Sequence, residues 1–353
     1  AIDSLKQLGL SVNLTVFDTG KDVDSVKQII SSNLLSESDL IIGPVYPECI
    51  KPVADFAREN RIPIVSPLSP SNYLLNENPY LFQANPSFIT QLECFVYKLD
   101  LCRDQNMVII HEGDSTASSM VATYKELLQS KVVSCPNPDY IHFKEVTYTP
   151  GSAAAEVVEK LSHSLTLEKE NLILVPSNSE AFVSDLLGNL HTLATYYEYP
   201  ISIYGLPRWH KFKNVQIDYY YSLQLHLFTP FFVEYSNPTV KSFIVKYRDF
   251  FRSEPSQYSF QGYDVSFYFL SAMMKYGYDF KYCLQSHSVD LIQSEFQFNQ
   301  INTISGYENR TIQLINYTKN FEQKKVRSSS INEETTLDYR SEDVHSPQGV
   351  IVK

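Results

Sequence analysis

The sequence predicts an α/β protein built from two doubly wound parallel sheets, and three observations support this prediction. The chain of 353 residues is too long for one ordinary core and suits two lobes. Short apolar segments alternate with amphipathic segments, as strands buried on both faces alternate with the helices that cover them. The apolar fraction of 43% and the charged fraction of 20% are those of a folded globular protein.

The elements follow one another in a regular order. Val12–Asp18 alternates apolar and polar residues, which predicts a strand, and Asp22 is suited to cap a helix with an apolar stripe from Val23 to Leu34. The next predicted strands are Asp39–Gly43, Ile62–Ser66, Met107–His111, Phe143–Tyr148, Asn171–Val175 and Ile201–Gly205. The predicted helices between them are Ile50–Asn60, Phe88–Leu101, Ser119–Ser130, Ala153–Ser164 and Glu180–His191. The pattern runs twice, so we expect two sheets.

After Tyr221 the regular alternation of predicted strands and helices ends. The later predicted elements are an extended run at 222–231, helices at Pro238–Arg252 and Gly262–Tyr276, and closing strands at Phe296–Phe298 and Thr311–Thr318. Residues 328–348 are polar and predict a flexible tail that ends in the strand-like Gly349–Lys353. Ala1–Leu10 has the pattern of a helix end, so we expect the first sheet to take a central strand from upstream sequence, with Gly349–Lys353 as the alternative source.

Composition excludes several classes of function. A net charge of −11 argues against nucleic acid as a partner, because its phosphates demand a basic face. The sequence has no GxGxxG and no GxxxxGK[ST] motif, so no dinucleotide or P-loop phosphate site is predicted. The five cysteines are scattered without a CxxC motif or a histidine at metal-ligand spacing. We therefore expect no metal and no cofactor.

One motif suggests catalysis. Gly113-Asp114-Ser115 follows a predicted strand, as the nucleophile does in GDSL-type hydrolases, and such an enzyme needs a histidine base and oxyanion donors. His142 lies too soon after the serine, and no glycine-containing oxyanion block is present. The motif therefore predicts a helix-capping turn at the mouth of a cleft, and the protein is not expected to be an enzyme.

The run Ile41–Ser87 resembles the Leu/Ile/Val-binding-protein branch of the type 1 periplasmic binding proteins and the related receptor ligand-binding regions. The features that resemble the family are Gly43-Pro44, the helix through Ala54, Ser66-Pro67 and the strand Tyr80–Gln83. Further similar features follow in order at Val108–Leu128, Tyr204-Gly205 and Gly262–Asp264. The segment Gly262–Asp264 begins a predicted helix. Some members of this superfamily are fused to cell-wall-binding modules.

The resemblance implies two lobes joined by a three-strand hinge. The expected crossings lie near Ala84–Phe88, Phe228–Val233 and Gln300–Gly306. The expected first lobe is 1–86 plus 230–300, the second is 87–229 plus 301–327, and 328–353 is the polar tail. A small molecule would then bind beyond the carboxyl ends of the strands, and the hinge would close around it.

The chain departs from the family where amino-acid binders hold their ligand. After the Gly-Pro turn they carry small hydroxyl residues, whereas this chain has Val45-Tyr46-Pro47-Glu48, in which Pro47 offers no N–H and Glu48 repels a carboxylate. We therefore expect an uncharged or cationic ligand rather than a standard α-amino acid. The residues predicted to line the cleft are Tyr46, Glu48, Ser69, Ser71 and Asp264 in the first lobe, and Asp114, Ser115, Thr116, Ser177, Asn178 and Trp209 in the second.

The resemblance implies a solute-binding or sensory domain of the periplasm or cell envelope, with a membrane transporter or the cell wall as its partner. An interaction or structural module whose cleft has lost its ligand is the alternative. A hydrolase that uses Ser115 is the third hypothesis.

Overall fold

A computed structural model describes residues 1–136, 138 and 141–326, which form two sheets dominated by parallel strands. The strands are β1 (Ile41–Ile42), β2 (Ile64–Ser66), β3 (Leu81–Gln83), β4 (Asn106–His111), β5 (Phe143–Thr147), β6 (Asn171–Leu174), β7 (Ile201–Gly205), β8 (His226–Thr229), β9 (Phe298–Gln300), β10 (Tyr307–Asn309), β11 (Gln313–Thr318) and β12 (Glu322–Lys325). The α-helices are α1 (Ile2–Lys6), α2 (Val23–Ser31), α3 (Pro47–Asn60), α4 (Phe88–Lys98), α5 (Ser115–Val132), α6 (Ala154–Ser162), α7 (Glu180–Tyr196), α8 (Ile217–Ser222), α9 (Pro238–Phe251) and α10 (Gln257–Tyr276). The first sheet has the order β1-β2-β3-β10-β9, and the second has the order β12-β11-β8-β7-β6-β4-β5.

The first sheet is covered on both faces. Ile64 of β2 and Leu81 of β3 pack in one cluster with α2 and α3, whereas the next residues, Val65 and Phe82, pack in another with α10. Neighbouring residues of a strand point to opposite faces, so each strand contributes to two cores. This arrangement is that of a doubly wound sheet.

The second sheet carries the largest core of the described chain. Met107 to Ile110 of β4 are all buried, which requires cover on both faces, and helices α4 to α7 provide it. β4, β5, β6, β7 and β8 pair in parallel, and β11 and β12 add an antiparallel edge. The predicted α/β fold with two parallel-dominated lobes is confirmed.

Local signals fix where several helices begin. Asp22 accepts hydrogen bonds from the N–H groups of Asp24 and Ser25, so the predicted cap of α2 is confirmed. Ser179 caps α7 in the same way. The α10 helix begins at Gln257, because Ser256 just before it and Ser259 in its first turn form a capping box. The prediction that this helix opens at Gly262 is therefore wrong.

Three segments cross between the sheets. The first lies between β3 and α4, the second between β8 and α9, and the third at 310–312 between β10 and β11. The expected third crossing at Gln300–Gly306 is wrong, because Gln300 pairs antiparallel with Tyr307 and this segment is the turn of a hairpin within the first sheet. Since β10 belongs to the first sheet, the chain returns to the second sheet only at β11, later than the predicted residue 301.

The segment Val12–Asp18 is not a strand, which corrects the prediction from its alternating residues. Leu14 and Val16 are 69% and 80% exposed. The segment pairs with no other strand of the described chain. Alternating apolar and polar residues give a segment one apolar face that can be buried. A strand also needs a neighbouring strand to pair with its N–H and C=O groups. The polar tail 328–353, with Gly349–Lys353, lies outside the described residues.

A disulfide joins Cys102, in the loop after α4, to Cys135, after α5. Cys49 is free and buried, whereas Cys94 and Cys283 are free and half-buried. This bridge could not be predicted from the sequence, because the two cysteines are 33 residues apart and no motif joins them.

Candidate ligand-binding cleft

The loops that follow the parallel strands carry the polar residues of the candidate site. Parallel strands of one sheet end at the same edge, so the loops after β2 and β3 lie together in the first lobe, as do those after β4, β6 and β7 in the second. Polar residues follow four of these strands directly or within three positions: Ser69 and Ser177, which are buried, and Asn85 and Glu112, which are half-buried.

Hydrogen bonds fix the loop after β2. The amide of Asn85 donates to the carbonyl of Leu68 at 2.8 Å, and the amide of Gln261 donates to the carbonyl of Pro67 at 3.2 Å. Two buried oxygens nearby in the chain, Oγ of Ser66 and Oδ1 of Asn85, have no hydrogen-bond partner among the described residues. A buried polar atom without a partner costs about 1–3 kcal/mol, so these atoms are candidates to contact a ligand.

The other predicted residues of the first lobe vary in exposure. Tyr46 is half-buried at the start of α3, and the ammonium of Lys21 lies 4.9 Å from the centre of its ring. Ser69 is buried, and its hydroxyl accepts a 3.3 Å hydrogen bond from the N–H of the exposed Ser71. Glu48 is exposed in the first turn of α3.

The second lobe places a carboxylate that sequence reasoning missed. Ser177, which is 1% exposed, donates a 2.8 Å hydrogen bond to Oε1 of Glu112 and accepts one from the N–H of Ser179. The other oxygen of Glu112, Oε2, is buried and has no partner among the described residues. The position of Glu112 directly after β4 makes it a candidate for the site on sequence grounds. The adjacent Gly-Asp-Ser motif was predicted to face the cleft instead.

The start of α5 carries further predicted residues. Asp114, Ser115 and Asn178 are exposed, and the N–H and the hydroxyl of Ser118 both donate to the carbonyl of Asp114. The side chain of Thr116 lies outside the described part of the chain.

His111 is fully engaged at the end of β4. Its Nε2 lies 2.9 Å from Oε1 of Glu145, and its Nδ1 accepts a 3.2 Å hydrogen bond from the N–H of Gly113. Hydrogen bonds from Lys125 and then from His111 lower the pKa of the Glu145 carboxyl. Since both ring nitrogens have partners, His111 is not placed to act as a base for Ser115.

Trp209 is a core residue, which corrects its expected contact with ligand. Its ring is 0% exposed, and its indole N–H donates to the carbonyl of Ser177 at 2.8 Å. A Cβ at Gly205 would lie 2.5 Å from this ring, so glycine at the end of β7 leaves the space that the ring occupies.

Asp264 is also buried, in the middle of α10. Its carboxylate accepts three hydrogen bonds, of 2.7 to 2.9 Å, from the N–H groups of Ile292, Gln293 and Ser294. Burial raises the pKa of Asp264 to about 6, although these hydrogen bonds oppose the shift. Asp264 therefore holds the segment next to the hinge, and we do not retain it as a ligand contact.

The described residues contain no cluster of three or more histidine, cysteine or acidic side chains suited to a metal ion. None of their helices combines the length and the apolar character needed to span a membrane.

Two α/β lobes, three crossings and polar loops at the strand ends define a two-lobed protein of the type 1 periplasmic binding fold. The family model described as receptor family ligand binding region matches residues 3–182, slightly more than half of the chain. The chain belongs to this family.

Solved structures share the fold at low sequence identity. A protein from Rhodospirillum rubrum assigned to branched-chain amino acid ABC transport is 12% identical, with 92% of each chain covered and a TM-score of 0.68. A branched-chain amino acid ABC transporter periplasmic ligand-binding protein from Burkholderia xenovorans is 11% identical, covers 92% of this chain and 87% of its own, and has a TM-score of 0.58. An ABC transporter substrate-binding protein from Desulfitobacterium hafniense, in complex with Leu, is 12% identical, with 92% of each chain covered and a TM-score of 0.53. Among curated proteins, no sequence matches the chain.

Proposed function

We propose that the protein binds a small solute between its two lobes and closes around it without catalysing a reaction. One observation carries the proposal: Oγ of Ser66 and Oε2 of Glu112, at strand ends of the two sheets, are buried and have no hydrogen-bond partner among the described residues. A ligand that hydrogen-bonds to both would remove the cost of two unsatisfied atoms. Membership of a ligand-binding family supports the same function.

The charges support an uncharged or cationic solute with hydrogen-bond donors. The residues proposed for the wall include the carboxylates of Glu48, Glu112 and Asp114, against the ammonium of Lys21, which lies over the ring of Tyr46. The second oxygen of Glu112 accepts hydrogen bonds when ionised, so it favours a hydroxyl, an amide or an ammonium group. The same oxygen would repel the carboxylate of an anionic solute.

A location in the periplasm or cell envelope, with a membrane transporter as partner, belongs to the same proposal. The Burkholderia xenovorans structure is that of a periplasmic ligand-binding protein. The disulfide between Cys102 and Cys135 supports an oxidising compartment, since such bonds persist there and are rare in the cytosol. Alkylation of free thiols in intact cells, followed by mass spectrometry, tests this: a reduced, alkylated pair would contradict it.

A thermal-shift screen of amines, sugars, nucleosides and amino acids tests solute binding. A true ligand at 100 times its Kd stabilises the folded state by about 2.7 kcal/mol and raises Tm in proportion to this free energy. We expect a positive compound to be uncharged or cationic, and its effect to shrink in Glu112→Gln. A response to no compound in the panel would favour the structural-module alternative, and a response to acids alone would reject the proposed charge preference.

A further inference from the structure

A second cavity lies at the hinge, away from the strand-end loops. Its volume is about 480 Å³. It is lined by Phe232 of the second crossing, the segment 288–297, Thr311 of the third crossing and Lys325 of β12. The cavity therefore contacts α10 and the segment before β9 on one side and β11 and β12 of the second sheet on the other, and it contains none of the residues proposed for the cleft.

Two buried side chains that line this cavity have polar atoms without partners. Tyr268 is 1% exposed and His287 is 5% exposed, and their rings meet edge to face with centroids 4.8 Å apart. Neither the hydroxyl of Tyr268 nor Nδ1 of His287 has a hydrogen-bond partner among the described residues. Both atoms would gain a favourable interaction from a ligand in the cavity.

The hydrogen bonds around His287 determine whether its unpartnered nitrogen, Nδ1, is a donor or an acceptor. The single proton of the Ser271 hydroxyl is donated to the carbonyl of Tyr268, so this hydroxyl can only accept from Nε2 of His287 at 3.0 Å. Burial lowers the pKa of His287, which keeps the ring neutral with one proton. That proton is on Nε2, so Nδ1 presents a lone pair and requires a donor from the ligand.

The charges around the cavity favour the same chemistry. Among the described residues that line it, Glu234, Asp290 and Glu295 are acidic, whereas Lys325 is the single cation and is paired with Glu295. The rings of Tyr268 and Phe296, with centroids 5.3 Å apart, add aromatic surface that attracts cations.

We propose that the cavity at the hinge is a second binding site, which takes a small organic cation through an ammonium group that donates to Nδ1 of His287 and to the hydroxyl oxygen of Tyr268. An ammonium group has three donors and no acceptor, which matches these two atoms and the excess of carboxylates. The site is independent of the solute proposed for the cleft.

Three probes of equal chain length test the charge preference by calorimetry: putrescine, 1,4-butanediol and succinate. We expect putrescine to bind the full chain, and butanediol and succinate to bind at least tenfold more weakly or not at all. Tyr268→Phe, which removes one hydroxyl, should weaken putrescine binding at least fivefold. The matched control is Tyr148→Phe, which removes another buried phenol hydroxyl, in the second lobe, and should leave binding unchanged.

Glu112→Gln distinguishes putrescine binding at the hinge from putrescine binding in the cleft, because this variant should retain binding at the hinge. The nitrogen NMR signal of His287, assigned with His287→Gln, gives a second test on the unaltered chain and should shift when putrescine is added. The proposal is overturned if putrescine does not bind, if butanediol or succinate binds equally well, or if the His287 signal does not move. Loss of binding in Glu112→Gln with retention in Tyr268→Phe would also overturn it and assign putrescine to the cleft.

Discussion

The hydroxyl of Ser177 donates a 2.8 Å hydrogen bond to Oε1 of Glu112, and this bond joins the loops after two adjacent strands, β6 and β4. The N–H of Ser179 in turn donates to the same hydroxyl. The carboxylate is thus held by one oxygen, while the other is buried and has no partner among the described residues. A charged group held in this way is oriented before any ligand arrives, which lowers the entropic cost of binding.

Glu112→Gln should weaken binding of the solute identified by the thermal-shift screen at least tenfold, or about 1.4 kcal/mol. If the glutamine oxygen keeps the hydrogen bond to Ser177, the glutamine NH2 group takes the place of Oε2. A donor of the ligand then faces another donor instead of an acceptor, which weakens binding. Calorimetric Kd values for the two proteins measure the change. Glu126→Gln, on the exposed face of α5, is the matched control and should bind like the unaltered protein. Equal affinities for all three proteins would remove Glu112 from the site.

Tyr46→Ala should also weaken binding at least tenfold without unfolding the domain. Tyr46 is half-buried at the start of α3, after a strand of the first sheet, so part of its ring is available to a ligand in the cleft. Tyr73→Ala removes an exposed tyrosine of the same lobe and is the control. Circular dichroism checks the fold of each variant, and an unchanged Kd for the folded Tyr46 variant would reject its assignment to the site.

Sequence predicted the central strands of the second lobe well because β4 and β6 are buried on both faces. Ile201–Gly205 was predicted with the bounds that the structure has. A short apolar run bounded by turn residues is typical of a buried strand. Val12–Asp18 shows the limit of the same reasoning, because alternation does not reveal whether a neighbouring strand is present.

The candidate site was less predictable than the fold. Trp209 follows a strand end as a ligand contact would, but the space beside Gly205 directs its ring into the core. That direction depends on packing between residues of β7 and the following turn, which no spacing in the sequence encodes. Glu112 and Ser177 are 65 residues apart, so their contact emerges only when β4 and β6 pair.

Asp264→Asn should destabilise the fold by about 2 kcal/mol, because the amide can accept only part of the three hydrogen bonds and a buried N–H left without an acceptor costs about 1–3 kcal/mol. Asparagine has one acceptor oxygen, so its NH2 group would face either the N–H of Ile292, which Oδ1 of Asp264 accepts, or those of Gln293 and Ser294, which Oδ2 accepts. Urea unfolding at pH 7 measures the loss. Asp249→Asn, on the exposed surface of α9, is the control and should change the free energy of unfolding by less than about 0.5 kcal/mol. Similar values for the two variants would show that Asp264 does not hold the hinge segment.

His226 should make the fold sensitive to acid between pH 6.5 and pH 4. Its ring stacks on Tyr204 with centroids 4.6 Å apart, and its Nδ1 is buried without a partner among the described residues. Burial lowers the pKa of His226 from 6.5 to about 4. Between these values His226 holds more proton in the unfolded chain than in the folded chain, so its contribution to the free energy of unfolding decreases as pH falls through this range and is fully retained above pH 6.5. The difference of about 2.5 pKa units corresponds to about 3 kcal/mol.

The variant that isolates this effect is His226→Phe, which keeps an aromatic ring against Tyr204 and removes the titrating group. Its free energy of unfolding should fall less steeply than that of the unaltered protein between pH 6.5 and pH 4, and the two curves should diverge by up to about 3 kcal/mol at the acid end. His163→Gln, which replaces an exposed histidine, is the control for the general loss of a histidine and should follow the unaltered protein. Urea unfolding at half-unit pH steps gives the curves. If the His226→Phe curve runs parallel to that of the unaltered protein, the neutral, buried state of His226 is not a source of acid sensitivity.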